Sequence, residues 1–117
     1  MKTKSYICAL CMLLTSGPAM SLTGKEMAEF CASDPGSAKY AVCAGYLSGL
    51  IDGLRFAYVD MTGKDPSPRM PFCLPDLVDT KINHIIADYI RSHPAFLGLP
   101  DVYGVMAALA DAYPCKK

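Results

Sequence analysis

Cys31, Cys43, Cys73 and Cys115 constrain this chain more than any other feature, because they are spread over a stretch too short to bury a large core. Whether they pair depends on compartment. The chain opens MKTKSYICALCMLLTSGPAMS, with Lys2 and Lys4 ahead of an apolar run from Tyr6 to Leu14, then Gly17-Pro18 and the small residues Ala19 and Ser21. That is the pattern of a secretory signal peptide cleaved after Ser21. The apolar run is shorter than the roughly 20 residues a spanning helix needs, so an anchor is not expected. No cysteine stands at the cleavage site, so lipidation is not indicated. The one CxxC of the chain, Cys8 and Cys11, lies inside the segment to be removed and carries no redox or zinc reading.

Leu22 to Lys117 then forms the mature domain, 96 residues with four cysteines in an oxidising compartment. Two disulfides stapling one small domain follow. Taking Lys2 and Lys4 from the eleven basic residues leaves nine against eleven acidic ones, a net charge near −2. With no basic cluster, this argues against nucleic acid and against an anionic membrane surface as partners.

The apolar pattern is helical throughout, and the fold class expected is all-α, a small disulfide-stapled domain of about four helices. Thr23 and Glu26 make a capping box for a helix over 23–32, with Met27, Phe30 and Cys31 on its apolar side. Asp34-Pro35-Gly36-Ser37 is a turn in which Asp34 or Ser37 would cap a helix over 37–61. The Pro66, Pro68 and Pro71 stretch is loop. Pro75-Asp76 and Pro100-Asp101 each stand before a three-and-four apolar pattern, with Asp as the expected N-cap. These predict helices over 76–92, carrying Val78, Ile82, Ile85, Ile86, Tyr89 and Ile90, and over 101–113, carrying Val102, Val105, Met106, Leu109 and Tyr113.

The helix over 37–61 is apolar around most of its circumference. At 100° per residue, Cys43, Leu47, Leu50, Leu54, Ala57 and Met61 gather on one line, and Lys39, Ser48, Asp52 and Arg55 on the far side. On one flank lie Gly45, Gly49 and Gly53 with Val42 and Phe56. Three helical glycines cost on the order of 3 kcal/mol relative to alanine, so some close packing should offset them. A neighbouring helix of the same domain is the first reading, and a second subunit or partner is the alternative. Asp52 and Arg55 exclude a membrane dimer motif.

Four cysteines allow three pairings. A hairpin of the first two helices brings Cys31 to Cys43, and antiparallel third and fourth helices bring Cys73 to Cys115. Cofactor and catalytic signals are poor. His84 and Asp88 are four apart on a helix, a spacing suited to a metal or an oriented base but more often a solvent-facing pair. His93, ahead of Pro94, reads as a helix C-terminal residue. No phosphate loop, nucleophile elbow or paired-carboxylate motif is present. No metal, cofactor or catalytic residue is assigned, and an enzyme is not expected.

Cys31, the segment CAGYLSGLID from Cys43 to Asp52, Phe72-Cys73-Leu74-Pro75, Tyr89-Ile90 with His93-Pro94, and Ala112 to Cys115 together resemble the Rap/Tai immunity proteins of type VI secretion, over nearly the whole mature chain. The resemblance implies a small helical periplasmic protein, usually a homodimer, that binds a peptidoglycan amidase effector and blocks it by inserting a loop into the active-site groove. No fixed motif marks that loop. The apolar cluster Phe96, Leu97, Leu99 and Tyr103, between Pro94 and Pro100, is the first candidate for it. The opposing reading is that Phe96 and Leu99 fold under to cap the core. The stretch Gly63 to Pro71, with Lys64, Asp65 and Arg69, is the second candidate. A different function class is a periplasmic binding module or small stress chaperone, for which two histidines are meagre equipment as an acid sensor. An amidase-like reading frame beside the gene would distinguish the two.

Overall fold

Local chemistry sets where the first two helices begin, in a computed structural model that describes residues 21–62, 70–75 and 81–116. Helix α1 spans Gly24–Cys31. Thr23 caps it: its N–H donates to Glu26 Oε2 at 2.8 Å, and its Oγ1 accepts from the Glu26 N–H at 3.3 Å. The Thr23 N–H first, and second the Thr23 hydroxyl, which donates to the same Oε2 at 2.9 Å, hold the Glu26 carboxyl below the ordinary carboxylate range. Helix α2 spans Ala38–Thr62. Of its two possible caps Ser37 is the one used, its hydroxyl accepting from the Tyr40 N–H at 3.2 Å. Helix α3 spans Lys81–Ser92, a single 3₁₀ turn covers Pro94–Phe96, and helix α4 spans Asp101–Ala112. The protein is all-α, and its pairing of extended chain among the described residues is one isolated bridge between Thr23 and Pro100. Asp76 and the first turn predicted for the third helix lie outside the described residues, as does the leader up to Met20.

Helix α1 is the hub. It packs against α2, α3 and α4, and α3 packs against α4. The core takes Met27 and Cys31 from α1, Cys43, Leu47 and Ile51 from α2, Ile82, Ile86 and Ile90 from α3, and Val105, Ala108 and Leu109 from α4. Phe72, from the segment before α3, is completely buried among them. Each such aliphatic or aromatic side chain contributes roughly 1.5–3 kcal/mol by leaving water. Two expectations shift. On α2 the buried line runs through Ile51 rather than Ala57, which is exposed. On α4 Val102, expected on the apolar stripe, stands partly in solvent.

Cys31 is bonded to Cys43, and Cys73 to Cys115, with Cα atoms 5.2 Å and 4.8 Å apart. The first bridge lies inside the core between α1 and α2. The second is at the surface, where it ties the chain end to the segment before α3, next to a hydrogen bond from the Cys73 N–H to the Tyr113 carbonyl of 2.8 Å.

The expected N-cap Asp101 is instead the first residue of α4, and Pro100 occupies the cap position. The Asp101 N–H is engaged by the Leu22 carbonyl at 2.9 Å, and its side chain turns inward. The chain entering α4 is thus held by the strand-like residues ahead of α1 and has no need of a side-chain cap. Among the described residues the α2 glycines make none of the close intradomain contacts expected of them. A Cβ added at Gly45, Gly49 or Gly53 meets nothing within 4 Å, and all three are exposed. The glycines that do permit close packing are Gly24 and Gly104. A Cβ on Gly24 would overlap the Phe96 carbonyl oxygen and lie 3.0 Å from its carbonyl carbon. One on Gly104 would lie 2.8 Å from Ile90 Cγ1.

Candidate functional site

Among the described residues, the α3–α4 connection is a surface segment held by several backbone hydrogen bonds. A helix N-terminus leaves backbone N–H groups without intrahelical partners, and α1 spends two of them here. The Gly24 N–H donates to the Leu99 carbonyl at 2.9 Å and the Lys25 N–H to the Leu97 carbonyl at 3.1 Å. With the Asp101–Leu22 bond these run residues 22–25 alongside 97–101. Within the connection, Phe96 N–H donates to the His93 carbonyl at 3.0 Å, Leu97 N–H to Pro94 at 3.1 Å and Leu99 N–H to Phe96 at 3.2 Å. Gly24 is what allows the approach, since any side chain there would strike the Phe96 backbone.

This scaffold divides the four residues singled out in the sequence. Phe96 and Leu97 are half-buried and pack against the core. Leu99 at 42 % and Tyr103 at 59 % relative exposure face solvent, joined by Val102. The connection therefore folds under on one side and presents apolar groups on the other. His93, just past the end of α3, stacks on Tyr89 with ring centroids 4.0 Å apart. Its Nδ1 is 2.7 Å from the Tyr89 carbonyl, so that nitrogen carries the proton and caps the helix end.

Beneath the exposed group lies a polar pair that sequence reasoning missed. Asp101 is buried, its Oδ1 accepting from the Val102 N–H at 2.8 Å. The Tyr46 phenol of α2 lies within reach of the same carboxylate. Burial first, and then the charge and hydrogen bond of Asp101, push the Tyr46 phenol up to about 12. The pair connects α2 to the start of α4. The sequence carried little signal for it, since Asp101 reads as an N-cap and Tyr46 as one residue of a largely apolar helix.

Elsewhere the chemistry is sparse. His84 and Asp88 both lie exposed on α3, and no group of three metal-ligating side chains occurs among the described residues. No described helix is long and apolar enough to cross a membrane. Of the second loop candidate, Gly63 to Pro71, all but Met70 and Pro71 lies outside the described residues; Met70 is buried. The outer face of α2 carries Val42, Gly45, Gly49, Gly53 and Phe56, the last 72 % exposed, and forms a second apolar strip opposite the buried line.

No curated protein and no solved structure matches the chain. The family model of Rap1a immunity proteins matches residues 23–115, which takes in every described helix and both disulfides. The chain belongs to the Rap1a immunity protein family.

Proposed function

We propose that this protein is exported by its leader, cleaved after Ser21, and acts in the periplasm as the immunity partner of a type VI secretion effector, a peptidoglycan amidase that it inhibits by placing the α3–α4 connection in the active-site groove. Membership of an immunity family supports the coarse reading, binding of a cognate effector without catalysis of its own. The finer reading rests on one observation: Leu99, Val102 and Tyr103 are held out in solvent on a backbone fixed by the N-terminus of α1. A plug that is already ordered loses little conformational entropy on insertion, which is what tight inhibition requires. Phe96 and Leu97 serve this surface from below, as its packed support. The open glycine strip of α2 is assigned to a second copy of the chain. Its small residues permit close helix approach, and a twofold axis would set the same strip against itself.

The test uses the oxidised protein as bait for periplasmic and type VI secreted proteins, followed by peptidoglycan cleavage assays on what is captured. One amidase inhibited at one-to-one stoichiometry is expected. Tyr103→Ala and Leu99→Asp should then weaken inhibition by about thirtyfold or more each, the scale of an interface hot spot. Weak capture of many unfolded chains, or inhibition indifferent to both substitutions, would sink the reading.

A further inference from the structure

The two disulfides sit in opposite environments. Cys31 and Cys43 are both fully buried, with Cys31 Sγ 3.6 Å from Met27 Sδ in the centre of the core. Cys73 is exposed and Cys115 half-exposed, one residue from Lys116 at the chain end. Thiol–disulfide exchange needs a thiolate to reach one sulfur in line with the bond, so access decides which bridge reacts. It also runs faster when the leaving sulfur departs as a stabilised thiolate, and a neighbouring cation supplies that stabilisation.

We propose that Cys73–Cys115 is a site of thiol–disulfide exchange with a soluble dithiol reductant, open to reaction in the folded protein, and that Cys31–Cys43 is closed to it. The reductant's thiolate attacks the Sγ of Cys73, the more exposed residue; the protein S–S bond breaks and Cys115, which precedes Lys116 in the chain, leaves as a thiolate. The reductant's second thiol, deprotonated, attacks its own sulfur of the mixed disulfide and releases Cys73. The reductant ends as a cyclic disulfide, and its two electrons and two protons end on Cys73 and Cys115. The fold survives the change. Phe72 remains completely buried beside the reacting residue, the Cys73–Tyr113 backbone bond of 2.8 Å persists, and the core bridge still joins α1 to α2. What is lost is the covalent tie between the segment before α3 and the chain end.

The experiment treats the oxidised protein with dithiothreitol under native conditions, quenches with iodoacetamide at intervals, and reads alkylation of each cysteine by peptide mass spectrometry, with far-UV circular dichroism on the same samples. Cys73 and Cys115 should label together at least about tenfold faster than Cys31 and Cys43, which react only through opening of the core, while helicity is kept. Glutathione, a monothiol, should leave its adduct on Cys73. Labelling of all four cysteines at one rate, labelling of Cys31 and Cys43 first, helicity falling in step with the first alkylation, or a glutathione adduct on Cys115 would each overturn the proposal.

Discussion

At Gly24 and Gly104 an added methyl group would run into the Phe96 backbone and the Ile90 side chain, whereas at Gly45, Gly49 and Gly53 it would meet open space. The first pair lies where α1, α3, α4 and the 3₁₀ turn converge, the second set on the outward face of α2. The same residue type thus serves two purposes. In the convergent corner, glycine is a packing requirement of the monomer: without it the α1 N-terminus could not donate to the carbonyls of Leu97 and Leu99. On α2 it is a local cost that nothing in the described chain offsets. Close spacing of glycines along a helix therefore says that a surface is available for contact, and a glycine's neighbours in space say whether the contact is made.

The largest effect expected from testing this contrast is at the corner. Gly24→Ala presses on backbone, which cannot rotate away, and should destabilise the fold by about 3 kcal/mol, the upper end of overpacking costs. Gly104→Ala presses on a side chain and should cost about 1–2 kcal/mol. Urea denaturation monitored by circular dichroism measures both, and an unchanged midpoint for Gly24→Ala would show that the corner is looser than described. Next comes Tyr46→Phe, which cuts the link from α2 to the start of α4 and leaves Asp101 without its phenolic donor. A loss of about 1–2 kcal/mol is expected at neutral pH. Because the folded phenol is raised from 10.0 to about 12, its contribution is fully present below pH 10 and fades as pH rises from 10 to 12. Tyr46→Phe should flatten that part of an alkaline stability profile; an unaltered slope would remove the Asp101 bond from the account. The smallest effect is at the open strip. Gly49→Ala should raise the stability of an isolated monomer by about 0.5–1 kcal/mol through helix propensity. If the strip is a subunit contact, the same methyl group weakens self-association, read by sedimentation velocity. A stabilised Gly49→Ala protein whose association state is unchanged would leave the strip with no partner.

Legibility varied with the range of the interaction involved. The Thr23–Glu26 capping box and the ends of α1, α2 and α4 were readable because each depends on residues three or four apart, while the choice of Ser37 over Asp34 as the cap of α2 was left to the structure. The disulfide pairing was readable for a related reason, since a hairpin and an antiparallel pair leave few ways to join four cysteines. Asp101 was misread because its cap role and its buried role look alike in sequence; the Leu22 carbonyl, nearly eighty positions away, makes the cap unnecessary. The loop cluster was readable only as a cluster. Nothing in the string Phe96 to Tyr103 tells that Phe96 and Leu97 turn to the core while Leu99 and Tyr103 do not, because the choice is made by α1.

Sequence alone, through short-range periodicity, capping chemistry and cysteine count, determined that this chain is a small all-α domain with two staples, and its motif order identified the immunity family. Tertiary structure decided the rest: which glycines are closed, which bridge is exposed, and which face of the α3–α4 connection meets solvent. Those properties depend on what lies opposite each residue across the fold, and an N–H from Gly24 or a hydroxyl from Tyr46 arrives there only after the helices have packed.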